Sequence, residues 1–173
     1  MGWGLEALGS RDDIYLFVVG DLMIQVNRGR DTEESVSWVE ETVLAHHRLH
    51  APRKMAHIVV LESGVRPPDM QMRRRLGEAM DKLEPALSSE AVIFHGRGFF
   101  VGMVIAVASV LMADKTKNRK LCRSTEEGAR YVWESLRSPL SVQQVVEMIE
   151  AARKGAARQD RTPRSPDREP MDR

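Results

Sequence analysis

Gly98 to Ala113 (GFFVGMVIAVASVLMA) runs for 16 residues without a charge. Crossing a bilayer takes about 20 apolar residues. A run of this length therefore predicts a core helix covered on most sides, and no transmembrane span. Something must do the covering, and the flanking sequence supplies short β-branched runs and apolar residues at helical spacing.

Ile14–Val19 (IYLFVV) and Leu22–Val26 (LMIQV), split by Gly20-Asp21, predict a β-hairpin. Asp31-x-x-Glu34 predicts a helix start capped by Asp31, with Val36, Val39 and Val43 as its buried stripe and Pro52 as its stop. Met55–Leu61 (MAHIVVL) is almost unbroken apolar sequence, as in strands covered on both faces. Pro67-Pro68-Asp69 predicts a second helix start, with Leu76, Met80, Leu83 and Leu87 facing inward. Ala91–Phe94 (AVIF) predicts another internal strand, which turns through His95-Gly96-Arg97-Gly98 into the uncharged helix. A short edge strand is expected over Arg119–Arg123. Ser124-x-x-Glu127 predicts a capping box, and Ser141 begins an added helix with Val142, Val145, Val146 and Ile149 in register. Residues 1–12 read as an N-terminal extension, 13–138 as the domain, and 139–154 as the added helix. Residues 155–173 hold Pro163, Pro166 and Pro170 and almost nothing apolar, which predicts a disordered tail.

Strands alternating with helices after a hairpin predict an α/β fold. The expected architecture is a mainly parallel sheet with four helices, plus an extra C-terminal helix. From Asp13 to Leu136 the chain resembles the STAS domain, in particular degenerate SpoIIAA-like proteins of bacteria. The resemblance is carried by LFVVGDLMIQVNRG, the strand ending LESG, AVIFHG and STEEGARYVWESL. It implies a STAS-like (SpoIIAA-like) fold and a non-catalytic regulatory or interaction module of signalling, cytoplasmic in location. In signalling members an acidic residue and a phosphorylatable Ser open a helix after a strand. The matching stretch here is Val65-Arg66-Pro67-Pro68-Asp69, without Ser or Thr, and Ser63 lies upstream at the strand end. The phospho-switch is therefore not implied.

Charge narrows the function classes. Lys and Arg number 26 against 25 Asp and Glu, a formal net charge of +1. Such balance argues against nucleic acid as the partner of the whole surface. Arg73-Arg74-Arg75 and the run Lys115, Lys117, Arg119, Lys120, Arg123 are basic clusters without interleaved aromatics, and read as solvated faces. One cysteine, Cys122, excludes an internal disulfide and suits a reducing compartment. His46 and His50 share a helical face, but a third metal ligand is missing nearby in sequence. His57 and His95 read as hydrogen-bonded core or loop residues. Gly96-x-Gly98-x-x-x-Gly102 follows a strand and opens a helix, which suits backbone approach to a phosphate. It lies mid-chain, and the next strand lacks an acidic ribose partner. No metal or cofactor is expected.

In open α/β sheets partners bind beyond the carboxyl ends of the strands. That places the expected binding surface on the loop Glu62 to Asp69, with Glu62, Ser63, Arg66 and Asp69, and on the turn Gly96, Arg97 and Gly98. A protein partner is expected first, and a small anionic or lipid ligand second. The added helix is a candidate for self-association. Two alternatives are a lipid-associated protein using the 98–113 helix and a small nucleotide-binding enzyme. No catalytic residue is singled out.

Overall fold

The computed structural model describes residues 4–96, 99–113, 118–137 and 139–159. A six-stranded sheet is formed by β1 (Glu6–Arg11), β2 (Ile14–Val19), β3 (Leu22–Asn27), β4 (Met55–Glu62), β5 (Leu87–His95) and β6 (Arg119–Cys122). Its helices are α1 (Glu33–His50), α2 (Met70–Leu83), α3 (Phe99–Ala113), α4 (Thr125–Trp133) and α5 (Val142–Gln159). Strand order follows chain order, β1-β2-β3-β4-β5-β6. The first two pairings are antiparallel and the other three parallel. The expected α/β class and mostly parallel sheet are thus present.

Crossovers of one hand that step one way across a sheet lay their helices on one face. The linkers α1, α2 and α3 do so. The opposite face is covered by α4 and α5, whose Ala129, Val132, Met148 and Ile149 pack on Tyr15, Phe17, Ile24, Ile58 and Ile93. Gly155 lies against the Phe17 ring, so the last helix reaches back to the second strand. Gly128 lets α4 approach equally closely, since a Cβ there would run into the Ile93 side chain.

Several boundaries differ from expectation. Residues 1–12 are not a mere extension, because β1 lies within them and pairs with β2. Its sequence, EALGSR, lacks β-branched residues, and it is an edge strand with a register shift between Ala7 and Gly9. Charges and bulges are what edge strands tolerate. The α1 cap is Thr32 rather than Asp31: Thr32 Oγ1 accepts from Ser35 N, and Thr32 N donates back to Ser35 Oγ. Leu87 begins β5 instead of ending α2, because Glu84-Pro85-Ala86 forms a 3-10 turn that breaks the helix. The expected tail boundary at Gly155 falls inside α5, whose buried Ala152 and Ala156 continue the core stripe.

The uncharged helix is the largest correction. α3 is not covered on most sides. Gly102, Met103, Ala106, Ser109 and Val110 form an exposed stripe, with Val110 75% exposed, while Val104 is buried. Among the described residues no helix is long and apolar enough to cross a membrane.

Candidate functional site

Alternate residues of a strand face the same side of a sheet. On the α1–α3 side this rule gathers Gln25 and Asn27 from β3, His57, Val59 and Leu61 from β4, and Glu90 and Val92 from β5. All of them line a half-open cavity of about 150 Å³. Its other walls come from α1 (Val36, Val39), α2 (Leu76, Ala79, Met80), α3 (Val104, Val107, Ala108) and the β4–α2 loop (Val65, Pro68). The walls are apolar and the floor is not.

The floor is built by register. His57 lies directly opposite Glu90, and Glu90 directly opposite Arg119. Three adjacent parallel strands therefore present an imidazole, a carboxylate and a guanidinium in a row. His57 Nδ1 lies 3.0 Å from Glu90 Oε1, and Arg119 Nε 2.7 Å from Glu90 Oε2. Arg119 Nη2 also donates to the Met80 carbonyl at 2.6 Å. His57 is 2% and Glu90 5% exposed. Burial alone would raise the Glu90 carboxyl, but hydrogen bonds and charge from His57 and Arg119 outweigh it and hold the group below its ordinary range. Glu90 is therefore ionised and acceptor-only, so His57 Nδ1 carries the proton. The ring's other nitrogen, Nε2, is buried and has no hydrogen-bond partner.

A second polar chain runs along the cavity. Gln25 Nε2 donates to Asn27 Oδ1 at 2.8 Å, and Asn27 Nδ2 donates to Asp31 Oδ1 at 3.1 Å. Burial pushes the Asp31 carboxyl up to about 6, against the lowering effect of the Asn27 bond. Glu40 on α1 behaves oppositely. Desolvation raises it, but the bonds from Lys82 and Arg75 prevail and lower it.

A buried ionic row is seldom a net stabiliser compared with apolar side chains of the same volume. Groups with strongly shifted titration gather at functional sites. Here the row underlies a cavity, and both ends of it, His57 Nε2 and Arg119 Nη1, are buried without a hydrogen-bond partner. Among the described residues the lining holds no serine, threonine, cysteine or lysine that could serve as a nucleophile. Cys122 packs in the core on the opposite face, where burial raises its thiol to about 11. No group of His, Cys, Asp and Glu among the described residues is arranged to hold a metal ion; His46 and His50 stack with ring centroids 4.2 Å apart.

The residues expected at the strand ends have other partners. Glu62 is held by Arg153 of α5, with Nε to Oε1 at 2.6 Å and Nη2 to Oε2 at 3.2 Å. Asp69 caps α2 through Met72 N at 2.9 Å and pairs with Arg30 at 3.2 Å. Ser63 and Arg66 are exposed, and Gly96 is half-buried. Arg97 and Gly98 lie outside the described residues. The loop meets the cavity through Val65 and Pro68 instead. The strand-end rule applies where strand order reverses, and in this sheet it never does. The basic clusters also break up. Arg73 donates to the Pro68 carbonyl, Arg74 pairs with Glu78, Arg75 pairs with Glu40, and Arg119 is buried under the cavity. No protein-family profile and no curated protein matches the chain.

Proposed function

We propose that the chain is a non-catalytic binding module of STAS-like type that holds a small, largely apolar ligand between its sheet and α1–α3. One observation carries this reading: a cavity of about 150 Å³ with largely hydrocarbon walls lies over the buried His57–Glu90 pair in its floor. Ligand sites combine apolar walls with a few placed polar groups. An initial hairpin and sequential βα units support the STAS-like kinship, and the site lies beneath the β4–α2 loop rather than at its tip. The test is titration of the full chain with small aromatic hydrocarbons, followed by melting temperature. A rise for the native chain, abolished by the cavity-filling Val59→Phe, is expected. No response to any hydrocarbon of one-ring size refutes the assignment.

A second reading, association with an anionic lipid surface, draws on the exposed apolar stripe of α3. In sequence that helix is preceded by Arg97 and followed by Asp114 and then Lys115 and Lys117; the three cations are what anionic headgroups would favour. Co-sedimentation with phosphatidylserine vesicles, weakened by Val110→Glu, supports it. A chain left in the supernatant removes it.

A further inference from the structure

We propose that a second pocket, at the amino ends of β3 and β4, binds a small phosphate monoester, with Arg53 and Arg137 as its cationic walls. It shares no residue with the cavity between the sheet and α1–α3, so it stands apart from that cavity's role.

Backbone bonds build the frame. Three segments far apart in sequence meet at Asp21, in the turn between β2 and β3. The Asp21 carbonyl accepts from Ala56 N at 2.8 Å, and Asp21 Oδ2 accepts from Arg137 N at 3.1 Å. The loop after α1 is pinned as well. Arg53 N donates to the His50 carbonyl, and the Arg53 carbonyl accepts from His47 Nδ1, both at 3.1 Å. Both arginines are therefore held at one rim, around a half-open space of about 290 Å³.

Charge selects the occupant. From Thr42 to Leu61 the chain has no acidic residue, while Arg48, Arg53, Lys54 and three histidines cluster around the end of α1. Among the described lining residues Asp21 is the only carboxylate, and a backbone N–H already occupies one of its oxygens. Arg53 and Arg137 are exposed, and neither guanidinium has an ion-pair partner among the described residues. Free carbonyls at the end of α1 would repel an anion. Here the His46 carbonyl is taken by His50 Nδ1 at 2.9 Å and the His50 carbonyl by Arg53 N. Two guanidinium forks match the oxygens of a phosphate. Met55 and Pro139 give the pocket an apolar side, which suits a short organic stem on that phosphate.

The experiment titrates the full chain with glycerol 3-phosphate, inorganic phosphate and glycerol at constant ionic strength, followed by backbone amide shifts. It is run at about pH 8, where the phosphate is a dianion. Glycerol 3-phosphate is expected to saturate with a Kd of about 1 mM or below. It should move the amides of Gly20, Arg53 and Arg137 and leave that of Val59 in place, and glycerol should move none. Arg53→Gln and Arg137→Gln should each weaken binding about tenfold or more, as loss of a charge-assisted bond implies. Arg48→Gln, which removes an exposed arginine outside the pocket, should weaken it less than about twofold. Inorganic phosphate bound as tightly as the ester overturns the ester as ligand. Absence of saturation by about 10 mM, or equal losses in all three variants, overturns the site and leaves the arginines as a solvated basic surface.

Discussion

Asp31 and Glu90 face one cavity, and their surroundings move them in opposite directions. Asp31 keeps part of its surface in solvent, yet its carboxyl is enclosed enough that burial lifts it from 3.8 to about 6. The fold therefore favours its protonated form. That contribution is complete below about pH 3.8 and is lost as pH rises through about 6. Above that, ionised Asp31 costs up to about 3 kcal/mol at 1.36 kcal/mol per unit. Asp31→Asn should raise the urea midpoint at pH 7.5 and show no such gain at pH 4; a variant weaker than the native chain at pH 7.5 would mean the ionised carboxylate is required. Glu90 has the reverse sign, stabilising above its ordinary range and losing that as pH falls. These residues were unevenly legible. His57 reads correctly as a hydrogen-bonded histidine in an apolar strand. Glu90 was hidden, because Ser88-Ser89-Glu90 looks like a loop until register sets Glu90 between His57 and Arg119. Arg119 was hidden beside Lys120, which shares its charge but is exposed.

Helix α5 shows how an element takes over a residue that looks functional. Glu62 stands at the end of β4, where a binding carboxylate was expected, and Arg153 holds it with two bonds. Arg153 also reaches both oxygens of Glu150, which accepts from Thr125 Oγ1 of α4. One guanidinium thus fastens α5 to the sheet and to its neighbour helix. Glu62→Gln should cost about 1.5–3 kcal/mol, the range for a charged hydrogen bond. Amide hydrogen exchange should quicken in α5 and stay unchanged in α1; uniform acceleration across both helices would contradict a local clasp. Helix starts were legible wherever a hydroxyl precedes an acidic or amide residue. Ser124 accepts from Glu127 N, and Ser141 accepts from Gln144 N while donating its own N–H to Gln144 Oε1. The reach of α5 to Gln159 was not legible, because its later turns bury alanines and a glycine rather than large apolar residues.

At the scale of the molecule, each strand pairs with its predecessor, so the sheet carries no reversal and no crevice of the usual kind. The cavity lies under the crossovers, in the layer between sheet and helices. The α/β class and the mainly parallel sheet follow from the alternation of runs in the sequence; the order of the strands comes from the structure. The depth of the cavity does not, because it depends on how far α2 and α3 stand off the floor. On the far side α5 completes a core that includes Phe17, Leu22 and Ile24. Deleting residues 142–159 should abolish the cooperative melt and expose dye-binding apolar surface. A truncated chain that stays monomeric with a sharp transition would show α5 to be dispensable. Gly155 against Phe17 has a further meaning for biosynthesis. Because the contact joins late residues to early ones, the nascent polypeptide leaves the ribosome with one flank of its sheet still naked. Until the closing segment emerges, that flank is what a chaperone would meet.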